Sequence, residues 1–141
     1  MRLLEDGSNA TVVAALQQLH DFAPFYGWVQ KPDLASGIRH VIDKVDEGNA
    51  FVGSGYLLLV GEFTPWYGTG KVLQEELVLR LPSQRRYSLR DVAYFIESLG
   101  EVRRCDMVLA GNSYTSIGMS RLYQSRQHGF KKCSEIFYKE L

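Results

Sequence analysis

The run Tyr-Leu-Leu-Leu-Val-Gly-Glu-Phe at residues 56–63 constrains this chain more than any other feature. Successive side chains of an extended strand point to opposite faces, so four consecutive apolar residues, Leu57 to Val60, have to be buried on both. A sheet built around such a strand needs cover on each side, and helices of the same chain are the available cover. Ala10 to Phe22 repeats Val12, Val13, Leu16, Leu19 and Phe22 at three- and four-residue spacing, which lines one helical face. Leu34 to Glu47 does the same with Ile38, Val41, Ile42 and Val45, before Gly48 and Asn49 stop it. Ser88 and Asp91 form a capping-box pattern ahead of Val92, Phe95, Ile96 and Leu99, with Gly100 as the expected stop. Ser113 to His128 gives a fourth helix.

Strands are expected at Met1 to Asp6, at Ala50 to Gly53, at Tyr56 to Phe63, at Lys71 to Leu81, at Asp106 to Ala110 and at Cys133 to Leu141. Ser54-Gly55 suits a hairpin turn, Thr64 to Gly70 a looser one, and Pro82-Ser83 ends the longest strand. Ala23 to Asp33, with two prolines and Phe25, Tyr26 and Trp28, is an ordered loop able to line a pocket. The middle strands follow one another directly and form an antiparallel meander, whereas the later ones are separated by helices and require parallel crossovers. The fold class is therefore α/β: a mixed, mostly antiparallel sheet flanked by about four helices.

The 141 residues fit one domain, 1–141, and the 45% hydrophobic share supplies a core without disulfides. Sixteen basic and sixteen acidic residues cancel, so no net field draws the chain to nucleic acid. The opening MRLLEDGSNA has no apolar run of a secretory signal, and no stretch approaches a membrane span; a cytoplasmic location is expected. Cys105 and Cys133 lack metal-site spacing, and His20, His40 and His128 fall on separate elements, so no metal site is expected. His128 in the last turn of its helix is a favourable charge at a helix C-terminus.

The segment Asp106-Met107-Val108-Leu109-Ala110-Gly111-Asn112, followed by Arg121-Leu122-Tyr123 and by His128-Gly129-Phe130-Lys131-Lys132, resembles the strand, Asn, "LY" helix and "GF" turn of the GCN5-related N-acetyltransferase (GNAT) family. Pro82-Ser83-Gln84-Arg85 resembles the opening of the family's Pro-x-x-Arg-x-x-Gly-x-Gly/Ala stretch. The chain departs from that pattern at the two small positions, which are Ser88 and Arg90. Glycine there lets backbone approach a phosphate closely, and its loss bears directly on cofactor binding.

The resemblance implies a parallel strand pair that splays apart and a transfer of an acetyl group from acetyl-CoA to an amine. It implies Tyr123 as the acid that protonates the leaving sulfur; the residue alone reads equally as a buried aromatic making a local hydrogen bond. Glu75 and Glu76 point to opposite faces of their strand, so one of them can serve as base, with solvent exposure the blander alternative. The backbone of Leu79, Arg80 and Leu81 is expected to bind the pantetheine arm and thioester. Arg85, Arg86 and the start of the next helix at Ser88 and Leu89 are expected to meet the pyrophosphate. Asn112 sits past a strand end, where it either lines the cofactor crevice or caps the next helix. Arg121, Arg126, Lys131 and Lys132 make a basic face suited to solvent, to a ribose phosphate or to an acidic partner. The partners implied are an acyl-CoA and an amine, with a homodimer or a docked protein completing the margin at the C-terminal strand. The competing expectation is the same fold without catalysis, a binding or structural part of a larger assembly, which Arg90 and the short C-terminus favour.

Overall fold

The computed structural model describes residues 1–23, 31–111 and 117–133 together with 137, 139 and 141. The elements run β1 (Arg2–Leu3), α1 (Ala10–Phe22), α2 (Leu34–Asp46), β2 (Ala50–Gly53), β3 (Tyr56–Phe63), β4 (Val72–Arg80), α3 (Leu89–Val102), β5 (Met107–Leu109) and α4 (Ile117–Tyr123). The five strands lie side by side in chain order, antiparallel throughout except for the parallel pair β4 and β5. This is the mixed sheet flanked by four helices that the sequence predicts.

The central strand β3 is buried on both faces, as its composition requires. Leu57 and Leu59 join Val12, Leu16 and Val41 under α1 and α2. Leu58 and Val60 join Leu73, Val92, Ile96, Met119 and Tyr123 under α3 and α4. Each such leucine contributes about 1.5–3 kcal/mol by leaving water, so the two layers hold the sheet from both sides.

Local chemistry sets the boundaries. Asn9 caps α1 by accepting from the Thr11 amide, and Asp33 caps α2 by accepting from Ala35. β1 is shorter than Met1 to Asp6 because the Asp6 carboxylate takes both the amide and the hydroxyl of Ser8, turning the chain out of the sheet. Gly100 does not end α3, which runs on to Val102. A Cβ at Gly100 would lie 2.5 Å from Val108 Cγ2, so the glycine serves close helix-to-strand packing instead of termination. On α2, Ile42 is 39% exposed while Lys44 is buried, the reverse of what the apolar pattern predicts. On α1, Phe22 is likewise exposed.

The fourth helix stops at Tyr123, five residues short of the expected His128. The Ser125 hydroxyl donates to Leu122 O at 2.7 Å and competes for the last-turn carbonyls. Gly129, at φ 67°, then reverses the chain so that the Phe130 amide donates to Tyr123 O. His128 therefore lies in a turn; its imidazole is fully buried, with Nδ1 2.8 Å from Glu97 Oε1 on α3. The loop over residues 24–30 and much of the expected closing strand lie outside the described residues; Cys133, Phe137 and Leu141 are described, are exposed and join no strand. Among the described residues no helix is long and apolar enough to cross a membrane.

Candidate functional site

The site grows from an irregularity in β4. Leu59 pairs with Leu77 and Val60 with Glu75, leaving Glu76 as one extra residue, a β-bulge. The bulge resets which residues face which side. Before it, Leu73 and Glu75 face α3 and α4; after it, Val78 faces that side while Leu77 and Leu79 face α1 and α2. β5 pairs with β4 only at Val72, Leu73 and Gln74. From Glu75 onward β4 continues to Arg80 past the end of its pairing with β5, and this stretch, which begins at the bulge, is termed the fork.

Hydrogen-bond parity decides which peptide groups face the fork. The Leu81 amide donates to Gly55 O at 2.8 Å. Pairs of an antiparallel ladder alternate between bonded and non-bonded, so with Leu57 opposite Leu79 and Tyr56 opposite Arg80, Leu79 also turns its peptide groups to β3. Val78 and Arg80 turn theirs away, to the side that β5 has left. Of the three residues expected to offer backbone to the pantetheine arm, Leu79 and Leu81 are therefore engaged in the hairpin, while Arg80, like Val78, turns its peptide groups away from it. Both leucine side chains pack under α1 and α2.

At the base of the fork sits a buried carboxylate. Glu75 is 1% exposed, which corrects the solvent role. Its Oε2 accepts from Tyr123 Oη and from the Gly111 amide, each at 2.8 Å. One side chain thus ties β4 to α4 and to the chain leaving β5, at the level where the strands part. Burial, reinforced by the facing Glu75 carboxylate, pushes the Tyr123 phenol well above the ordinary tyrosine range. Tyr123 is 4% exposed and tilts against Phe130 with ring centroids 4.9 Å apart. Glu76 lies on the other face, where Lys44 Nζ is 2.7 Å from Oε1 and His40 Nε2 is 3.5 Å from Oε2. Glu76 thus faces α2 and away from Tyr123, and Glu75 is the one of the two that meets the tyrosine.

The loop after β4 folds back onto the β2–β3 hairpin. Tyr87 Oη donates to Leu81 O at 2.7 Å, and the Arg80 guanidinium lies 3.8 Å from the Tyr87 ring centroid. Gly55, at φ 85°, has no room for a side chain: a Cβ would lie 2.4 Å from the Tyr87 ring and 2.5 Å from Arg86 O. At the start of α3 the Ser88 amide donates to Ser54 O, the Ser88 hydroxyl accepts from the Asp91 amide, and Asp91 Oδ2 accepts from Ser54 Oγ. Ser88 is therefore not a free anion donor, in contrast to the expectation. Arg85, Arg86 and Arg90 are exposed around this start, and Leu89 packs under α3 and α4. Asn112 lies outside the described residues.

Sequence reasoning missed Val78 and Lys44. The signal for Val78 is the strand register, which no local pattern carries. The signal for Lys44 is weaker still, a cation at a helix position that reads as solvent-facing.

No family model matches the chain, and no curated protein does. Solved structures do. A tetramutant protein of Bacillus halodurans aligns at 13% identity and TM-score 0.63, covering 93% of this chain and 92% of that one. An aminoglycoside 6'-N-acetyltransferase of Acinetobacter haemolyticus aligns at 15% identity and TM-score 0.52, covering 89% and 92%. A GNAT family acetyltransferase of Staphylococcus aureus aligns at 12% identity and TM-score 0.51, covering 94% of each chain. The chain has the fold of the GNAT acetyltransferases.

Proposed function

We propose that this domain transfers an acyl group from acetyl-CoA to an amine at the fork between β4 and β5. The observation that carries the reading is the buried Glu75–Tyr123 pair placed where β4 loses its parallel neighbour. The chemistry of the donors fits the extended arm of coenzyme A. The peptide groups of Val78 and Arg80, which have no strand partner on that side among the described residues, suit the amides of pantetheine as a further strand would. The phosphate end fits through guanidinium groups of Arg85, Arg86 and Arg90, since the Ser88 amide is taken. Bound there, the cofactor supplies an acyl carbon activated as a thioester.

The chain's own groups then manage the proton. Tyr123 Oη donates to Glu75, so its lone pairs are the side left to receive. A proton taken from the attacking amine passes to Oη as the tyrosine's own proton passes to Glu75, and no phenolate forms. The reverse path returns a proton toward the fork, where a departing thiolate requires one.

One observation favours a second reading, a GNAT fold that binds partners without catalysis. Asp91 and Ser88 close the start of α3 with the chain's own groups, where the family's glycines would admit pyrophosphate. Isothermal titration with acetyl-CoA separates the two, followed by thiol release in the presence of a panel of primary amines. The expected result is micromolar binding, with turnover lowered about 10²- to 10⁴-fold in Tyr123→Phe. Absence of binding by the wild-type protein supports the second reading.

A further inference from the structure

The extra residue of β4 is held in place by a buried cation. Lys44, in the last turn of α2, is 8% exposed. Its Nζ donates to Glu76 Oε1 at 2.7 Å and to Val60 O at 3.0 Å. One ammonium thus bridges both strands at the bulge, gripping the carboxylate of the unpaired residue and the carbonyl of β3 beside it. The site is shaped for this grip: Gly61 lies beneath, and a Cβ there would come 2.4 Å from Glu76 Oε1. Glu47 Oε2 at 3.8 Å and His40 Nε2, 3.5 Å from Glu76 Oε2, are the other titratable groups that meet the pair among the described residues.

The core does not need the bulge. With Glu76 omitted, Glu75 would still face α4, Leu77 would face α2 and Val78 would face α3, the plain alternation of a regular strand. The extra residue serves something other than packing, and the parallel pairing with β5 ends at Gln74, immediately before it.

We infer that Lys44 is a positioning residue: by pinning Glu76 in the bulge from the α2 face, it holds the fork open on the other side of the strand. This rests on reading the fork as the site of the thioester arm. Lys44 grips Glu76 and Val60 O, and it acts through the backbone of β4.

The experiment compares wild type, Lys44→Met, and Lys44→Met with Glu76 deleted, the last keeping every core side chain on its own face. Two readouts are taken: the amide resonance of Gly111 in the ligand-free protein, and acetyl-CoA affinity by titration calorimetry. The expected result is a displaced Gly111 amide and at least tenfold weaker affinity in both variants, with Lys44→Arg, which keeps a cationic donor for both Glu76 and Val60 O, recovering part of the affinity. If Lys44→Met fails to fold, the deletion variant decides the matter alone. Wild-type affinity and an unmoved Gly111 amide in the folded variants would overturn the inference. If wild type itself binds no acetyl-CoA, the proposed function fails, and the Gly111 amide still decides whether Lys44 controls the fork.

Discussion

Glu75→Ala is expected to lower the unfolding free energy by about 3 kcal/mol, which for a chain of this size moves the melting temperature by roughly 10 °C. Both Tyr123 Oη and the Gly111 amide donate to the same Oε2, and removing it leaves two donors inside the fold. Each costs about 1–3 kcal/mol unpaired, and the vacated volume adds a cavity. Relief from holding a carboxylate out of water offsets part of this. Tyr123→Phe should cost less, about 1.5–3 kcal/mol, because it removes one donor to a charged group and leaves Gly111 in place. Urea unfolding of the three proteins checks the order, and a loss below about 1 kcal/mol for Glu75→Ala would show that the carboxylate does not tie β4 to α4 and Gly111.

Arg103→Ala should be of similar size, about 2–4 kcal/mol. Arg103 follows the last turn of α3 and spreads its guanidinium over three acceptors: Asn49 Oδ1 at 2.7 Å, Gly48 O at 2.9 Å and Glu62 Oε1 at 3.1 Å. It thereby joins α3 to the α2–β2 turn and to β3. Arg103→Lys should recover less than half of the loss, because a single ammonium cannot reproduce a planar fork that serves acceptors in three directions. Thermal unfolding measures both variants, and full recovery by lysine would mean that only the charge matters.

Much of the architecture was legible because it follows from local pattern. The apolar block Leu57 to Val60 dictated cover on both faces, and the Ser88–Asp91 capping pattern marked the start of α3 by side-chain chemistry alone. The site was legible in part. Tyr123, Glu75 and Glu76 stand out by type and spacing, but their roles depend on contacts 48 and 32 residues away in the chain. Two adjacent glutamates in a strand read as a solvated margin until a tyrosine and a lysine from different helices claim them. The bulge has no signature of its own in the sequence, and it decides which peptide groups face the fork, so Leu79 and Leu81 were expected there beside Arg80 whereas their peptide groups turn to the hairpin. Lys44 and Ile42 exchanged the expected burial for the same reason. Helical periodicity places a residue on a face, while the acceptors that Val60 and Glu76 offer from the interior strands β3 and β4 decide that Lys44 is buried there.

The most direct test of the fork as a ligand site is a titration of the ¹⁵N-labelled protein with acetyl-CoA, followed through backbone amide resonances. The account predicts that the amides of Val78, Arg80 and Gly111 move together with ligand, while those of Leu79 and Leu81, held by the hairpin, move little. Saturable binding that shifts residues elsewhere and leaves Val78 and Arg80 unmoved would contradict it.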